Sequence, residues 1–165
     1  MSLFSQQEMT AMLLPVLKAE GELYRKWKPV LAKLAQEGEW VSSISSDGQE
    51  TRNQATAGDY LVQNQTGAKE RYLINLDKFR ERYKFDKLAE DGFDQYQPIG
   101  KVVAIKMDGS RLKSLNLPEQ FKFIAPWGEP MVCKLNDYIV CPPDYSEIYR
   151  IADREFNETY RTDLD

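Results

Sequence analysis

Four carboxylates in this sequence recur in matching surroundings and are the first candidates for chemistry. Asp59 and Asp137 each stand directly before an apolar segment, and Glu70 and Glu147 each precede a tyrosine by two residues. Two carboxylates held close together could bind a hard cation or form an acid–base dyad, and a Glu beside a Tyr could bind a polar ligand or transfer protons. In the structural interpretation, the Asp residues stabilise their own turns and the Glu residues bond to neighbouring strands. Repetition in both halves favours the structural interpretation.

An aromatic turn is the second candidate. Trp127 lies in the stretch APWGEP, and a large aromatic side chain in such a turn predicts a half-exposed stacking surface. Together with Tyr145 and the loop at Pro142 and Pro143, it could form an aromatic rim for a peptide, a sugar or a base. The alternative is a tryptophan folded back over the mouth of the sheet.

The missing residue types exclude several enzyme classes. The 165 residues contain no histidine and two cysteines, so Ser-His and Cys-His nucleophiles, histidine bases and imidazole zinc sites are absent. Two cysteines cannot build a four-thiolate metal site or a disulfide framework. Hairpin pairing about the turn between them would put Cys133 opposite Val140 and Cys141 opposite Val132. The thiols would then point to opposite faces, which predicts two buried free thiols.

Charge is spread evenly along the chain. The net charge is -4, and no basic block provides the footprint of a duplex nucleic-acid binder. The stretch 24–28 mixes basic and aromatic residues as single-strand binders do, but we interpret it as a solvated strand edge. No membrane span or signal peptide is predicted. A cytoplasmic protein is expected, since free thiols fit a reducing compartment.

Two stretches share their order of features, which indicates an internal duplication. The segment GDYLVQNQTGAKERYLINLDKFRERY (residues 58–83) is similar to NDYIVCPPDYSEIYRIADREFNETY (residues 136–160). An earlier tyrosine leads into VLA in the first half and into VVA in the second. We therefore predict two repeats, 24–83 and 96–160, which pack about a pseudo-twofold axis into one compact unit.

Each repeat has the pattern of several strands closed by a short helix. Alternating or β-branched apolar residues predict the strands, and glycine dipeptides predict the turns. Asn75 and Asp153 are the predicted N-caps of the closing helices. Ahead of the repeats, Ser5 and Glu8 form a capping box that predicts a helix from the next residue onward, which Pro15 should kink or break.

Three further segments complete the predicted organisation. Residues 1–23 form an N-terminal helical segment, and the acidic connector 84–95 predicts a loop or a frayed helix. The polar tail 161–165 predicts disorder. The predicted fold class is α+β, with an N-terminal helix followed by two tandem β-rich repeats, each ending in a short helix and packed as a pseudo-twofold unit.

The repeated motifs resemble a small module of phage and bacterial proteins with the pattern GD(Y/W)…GE.Y…F..TY. The matching positions are Gly58, Asp59, Tyr60, Glu70, Tyr72, Phe79 and Tyr83 in the first repeat and Asp137, Tyr138, Glu147, Tyr149, Phe156, Thr159 and Tyr160 in the second. Residues 125–129 read APWGE, which is also similar to the bacterial PGDYG family. The PGDYG string itself is replaced by PDYS at 143–146. The family has no established activity, so the resemblance implies a fold and not a function.

The sequence favours a non-catalytic binding or protein-interaction module with an aromatic-rimmed site for a protein or a small polar ligand. The alternative is a small enzyme that uses carboxylate and tyrosine acid–base chemistry without histidine. A third hypothesis is a homodimer formed through the N-terminal helix. No catalytic residue, metal or cofactor is assigned. The candidate ligand-binding residues are Trp127, Tyr145, Asp59, Asp137, Glu70 and Glu147.

Overall fold

The computed structural model describes residues 3–44 and 46–162, which form four helices and fifteen short strands. The helices are α1 (Gln6–Glu20), α2 (Leu76–Arg82), α3 (Gly109–Ser114) and α4 (Asp153–Thr159). The strands are β1 (Leu3–Phe4), β2 (Glu22–Lys26), β3 (Val30–Leu34), β4 (Trp40–Ile44), β5 (Glu50–Gln54), β6 (Tyr60–Asn64), β7 (Arg71–Ile74), β8 (Tyr83–Leu88), β9 (Asp94–Pro98), β10 (Lys101–Lys106), β11 (Gln120–Ile124), β12 (Pro130–Lys134), β13 (Tyr138–Cys141), β14 (Tyr149–Ile151) and β15 (Tyr160–Thr162). The prediction of an α+β protein with an N-terminal helix is confirmed.

The chain divides into two compact units, and each combines segments that are distant in the sequence. The first comprises residues 3–24 and 101–157 together with Thr162. The second comprises Arg25–Gly100 and Glu158–Arg161. No helix in the described part of the chain is long and apolar enough to cross a membrane.

Helix α1 begins at the predicted capping box. The Ser5 hydroxyl accepts a hydrogen bond from the Glu8 N–H at 2.9 Å, and the Ser5 N–H donates to Glu8 Oε1 at 3.0 Å. These two bonds satisfy donors that the first turn would otherwise leave free. The helix does not break at Pro15 but continues to Glu20. Proline removes one N–H from the helix, while the buried face of α1 holds it against the sheets.

The core of the first unit lies between α1 and two sheets. One sheet has the strand order β14-β13-β10-β2, and the other has the order β1-β11-β12. The apolar residues of α1 recur at helical spacing, so they meet the sheets as one stripe. The largest side chains fully buried in this cluster are Met9, Leu13, Leu17, Met107, Phe121, Phe123, Ile139 and Ile148.

The second unit holds a five-stranded sheet and a two-stranded hairpin. The sheet order is β7-β6-β3-β9-β8, and β4 pairs with β5. Its apolar residues form two smaller clusters. One contains Val30, Ala32, Val62, Ile74, Phe79 and Tyr83, and the other contains Ala35, Val41, Ala55, Leu61 and Phe93.

Two predictions of local structure are wrong, and one helix was not predicted. The stretch 84–95 is neither a loop nor a frayed helix, because most of it belongs to β8 and β9, which pair antiparallel with each other. The short helix α3 was missed, although Asp108 caps it by accepting a hydrogen bond from the Arg111 N–H at 2.9 Å. Within the predicted disordered tail, the residues 161–162 belong to β15, and the residues 163–165 lie outside the described part of the chain.

Candidate functional site

Asp137 is a buried carboxylate at the start of β13. Its Oδ2 accepts hydrogen bonds from the Lys134 N–H and from Arg150 Nε, both at 2.8 Å, and its Oδ1 accepts one from the Asp153 N–H at 3.1 Å. The last bond caps α4 at its first residue. Asp153 is therefore not the N-cap, because it already lies inside the helix. Three donors surround the Asp137 carboxylate, which gives it a structural role in this unit.

Asp59 stabilises its own turn at the corresponding place before β6. Its Oδ2 accepts from the Thr56 N–H at 2.9 Å and from the Thr56 hydroxyl at 3.1 Å. The residue before each aspartate has a left-handed backbone, with φ of 85° at Gly58 and 73° at Asn136. Glycine adopts this conformation without steric cost, and asparagine tolerates it better than most residues. Each aspartate is thus engaged inside its own unit.

The two glutamates also lie in local contacts. Glu70 accepts hydrogen bonds from the Thr66 hydroxyl and, at 3.3 Å, from Asn64 Nδ2. It lies just before β7 and is half-buried. Glu147 is half-buried just before β14 and also has interaction partners. Both glutamates therefore already have interaction partners near them.

Trp127 is an exposed aromatic side chain, which is one of the two placements that the sequence left open. It is 55% exposed at the tip of the β11–β12 hairpin, where the Gly128 N–H donates to the Ala125 carbonyl at 2.9 Å. Its ring contacts Tyr149, with the centroids 6.1 Å apart. Tyr145 instead packs against the core of the first unit, where the Lys18 ammonium lies 5.3 Å from its ring. The aromatic neighbour of Trp127 is therefore Tyr149 and not the predicted Tyr145.

Both cysteines are buried and free. The predicted hairpin pairing between their strands is wrong, because the turn between β12 and β13 joins strands of different sheets. Cys133 lies opposite Phe121, and Cys141 lies opposite Val103. Burial is the main reason why the pKa of the Cys141 thiol is raised to about 11, and it raises the pKa of the Cys133 thiol still further.

We expect both thiols to resist a disulfide reagent such as dithiobis-nitrobenzoate in the folded protein at pH 8. A thiol with a pKa of about 11 is about 0.1% thiolate at that pH, and the thiolate is the reactive form. After unfolding in guanidinium chloride, two thiols per chain should react within minutes. A native thiol that reacts as fast as an unfolded one would contradict the buried placement of the cysteines.

A polar cluster in the second unit was not predicted. The Lys26 ammonium donates to Asn64 Oδ1 and to the Tyr83 hydroxyl, both at 2.9 Å, and to the Tyr72 hydroxyl at 3.4 Å. We call these four residues the lysine–tyrosine cluster. The interpretation of the stretch 24–28 as a solvated strand edge is therefore wrong for Lys26, which is half-buried among three acceptors.

Burial, followed by the neighbouring Tyr83 hydroxyl, raises the pKa of Tyr72 well above 10. Tyr160 contributes in the same direction, and the Arg82 guanidinium opposes the shift. Tyr72 is accordingly a neutral phenol across the physiological pH range. The cluster thus combines the Lys26 ammonium with a Tyr72 hydroxyl that keeps its proton.

Comparison with protein-family models, with curated proteins and with solved structures gives no match for this chain. Among the described residues, no group of three or more Cys, Asp or Glu side chains could hold a metal ion.

Proposed function

We propose that this protein is a non-catalytic binding module, and that it binds a cationic side chain of a protein partner on the face of Trp127. A contrast among the three tryptophans carries this proposal. The Arg161 guanidinium lies 3.8 Å from the ring centre of Trp27, and the Arg52 guanidinium lies 4.6 Å from that of Trp40. Within the described residues, Trp127 has no such cation, and its ring contact is with Tyr149. An intermolecular cation can take the place that the chain's own arginines occupy elsewhere.

The charges along the chain near this aromatic surface favour a basic partner. Glu129 follows Trp127 by two residues, Glu147 precedes Tyr149 by two residues, and the whole chain carries a net charge of -4. Negative potential and an exposed indole both attract guanidinium and ammonium groups. The proposed partner is therefore an arginine-containing segment.

The alternative, a small enzyme that uses carboxylates and tyrosines, receives less support from the geometry. General acid–base catalysis requires a carboxyl group that is within reach of a substrate proton. Asp137 already accepts three hydrogen bonds from its own unit, and Asp59 accepts two. Removing either from these bonds would disrupt a turn.

We also propose that the chain contains an internal duplication, and the strand registers support it. The strand that follows each of the two aspartates pairs with its neighbours in equivalent registers. The paired residues are Ala32 with Val62 and Tyr60 with Ile74 in the second unit, and Ala104 with Val140 and Tyr138 with Ile151 in the first. Tyr60 and Tyr138 are also matching positions of the repeated motif.

The aromatic packing supports the same proposal. Phe79 stacks on Tyr60 with ring centres 4.3 Å apart, and Phe156 stacks on Tyr138 at 3.8 Å. A third ring meets each phenylalanine edge-on. These pairs are Phe79 with Tyr96 at 4.8 Å and Phe156 with Tyr24 at 4.9 Å. Tyr96 belongs to the predicted repeat 96–160 but lies in the second unit, which consists mainly of the repeat 24–83. Tyr24 is the reverse case, because it belongs to the repeat 24–83 but lies in the first unit. We therefore propose that the repeats exchange their first strands. The pseudo-twofold axis stays a prediction.

Replacing Trp127 with Ala should weaken binding of an arginine-containing peptide about two- to thirtyfold, the range expected for one cation–π contact. The probe is a hexapeptide with two arginines, and the measurement is its titration while the three indole N–H signals are followed by NMR. We expect the Trp127 signal to shift saturably.

Two controls make this experiment decisive. A peptide with citrulline in place of arginine keeps the shape but loses the charge, so it should not bind. Trp40→Ala removes another exposed indole and should leave the affinity unchanged. Equal affinity in wild type and Trp127→Ala, or no saturable shift in the wild type, would contradict the proposed function.

A further inference from the structure

The lysine–tyrosine cluster contains a positive charge whose direct partners are all neutral. Lys26 donates to one amide oxygen and two phenol oxygens, and no carboxylate forms an ion pair with it in the described part of the chain. The nearest negative group along this network is Glu70, which is reached through Asn64, since Asn64 Nδ2 donates to Glu70 Oε2 at 3.3 Å. The longest of the three ammonium contacts is the 3.4 Å contact to Tyr72. A hydrogen bond of this length is weak, so this N–H can turn toward a better acceptor.

The two phenols supply one further donor. The Tyr72 and Tyr83 hydroxyls share a hydrogen bond, which uses one of their two protons, and Lys26 is a donor to both oxygens. The other hydroxyl proton has no acceptor among the described residues. Burial keeps the pKa of Tyr72 high, so the Tyr72 hydroxyl stays an O–H group and not a phenolate. The cluster therefore has an excess of donors over acceptors.

We propose that the lysine–tyrosine cluster binds the oxyanionic group of a small acidic ligand, either a carboxylate or a phosphate. Such a group accepts hydrogen bonds from an ammonium and from a neutral phenol O–H. Hydrogen bonds in which one partner is charged are stronger than those between neutral groups. Lys26, Asn64 and Tyr72 are half-buried, so the cluster is partly desolvated while each of these residues keeps some exposed surface. Arg82 acts on Tyr72 electrostatically and adds positive potential at this place.

The experiment titrates the full chain with sodium phosphate and, separately, with sodium acetate at pH 7 and constant ionic strength. Chloride serves as the reference salt, so that general screening is the same in every sample. Backbone amide signals of Lys26 and Tyr72 are followed by NMR, and the unfolding temperature is measured in parallel. We expect a saturable shift and a rise in unfolding temperature with one of the two anions, which identifies the class of ligand.

The variants are Lys26→Met and Tyr72→Phe, and the matched control is Lys28→Met. Lys28 lies two residues from Lys26 and is also half-buried, but it is outside the cluster. Each cluster variant removes a hydrogen bond to a charged group and should weaken binding at least about tenfold, whereas the control should bind as the wild type does. Tyr72→Phe keeps the ring, so it decides the question even if Lys26→Met does not fold. Wild-type affinity in either cluster variant, or no saturation with either anion, overturns the proposal.

Discussion

Asp137→Ala is expected to lower the free energy of unfolding by about 3–5 kcal/mol, the range for a buried ion pair that loses one partner. The carboxylate and the Arg150 guanidinium are both buried, with Nε and Oδ2 2.8 Å apart. Truncation leaves a buried guanidinium without this partner and also removes the acceptor that caps α4. Urea unfolding followed by circular dichroism measures the effect, because the denaturation midpoint reports stability when the slope is unchanged.

Asp59→Ala is the matched control. This residue precedes β6 as Asp137 precedes β13, and it also accepts a backbone hydrogen bond from its own turn. It is half-buried, however, and no arginine pairs with it within the described residues. Its loss should cost about 1 kcal/mol, as for the loss of a capping residue. Equal effects of the two substitutions would mean that the buried Arg150 contact contributes little.

The parts of the fold that sequence reasoning predicted well depend on neighbours in the chain. The capping box at Ser5 and Glu8 spans one helical turn, and the turn role of Asp59 involves a residue three positions away. Such patterns have few alternatives once the residue types are known. The N-cap at Asn75 is confirmed for the same reason, since its side chain accepts from the Lys78 N–H at 2.9 Å.

The predictions that are wrong concern pairings between distant segments. In the stretch 84–95, Gly92 and several acidic residues are typical of a loop. The residues before and after Gly92 nevertheless form β8 and β9, which pair with each other, because β9 also pairs with β3 far upstream. Propensity is a weak guide when tertiary pairing decides the outcome. The cysteine strands were assigned to one hairpin for a similar reason. In fact β12 pairs with β11 across the turn at Trp127, whereas β13 pairs with the more distant β10, and nothing local to β13 indicates that pairing.

In the candidate site, too, local features could be predicted from the sequence and contacts between distant residues could not. An exposed Trp127 follows from its turn, whereas its contact with Tyr149 depends on how two strands approach each other. Lys26 lies 38 residues from Asn64 and 57 residues from Tyr83, so its stretch alone resembles a solvated edge. The sequence contains one indirect signal of the cluster, which is that Tyr72 and Tyr83 recur at matching positions of the second repeat. The lysine itself does not recur, because the position that matches Lys26 is Pro98.

Leu13→Ala is expected to cost about 2–5 kcal/mol of unfolding free energy. The side chain is fully buried in the cluster formed by α1 and the sheets of the first unit. Truncation loses apolar burial and leaves a cavity, which together account for that range in comparable cores. Alanine is the best helix former, so helix propensity does not contribute to the loss. Thermal and urea unfolding of the full chain measure the change.

This substitution also bears on a dimer through the N-terminal helix. The apolar face of α1 is covered within the chain, since Met9 and Leu17 are as fully buried as Leu13. Leu34→Ala is the control, because that leucine is 64% exposed and its truncation should change stability by no more than about 0.5 kcal/mol. Size-exclusion chromatography with light scattering reports the oligomeric state of each variant. If Leu13→Ala altered the oligomeric state and left the stability at the wild-type value, the side chain would lie in an interface between chains and not in the core of its own.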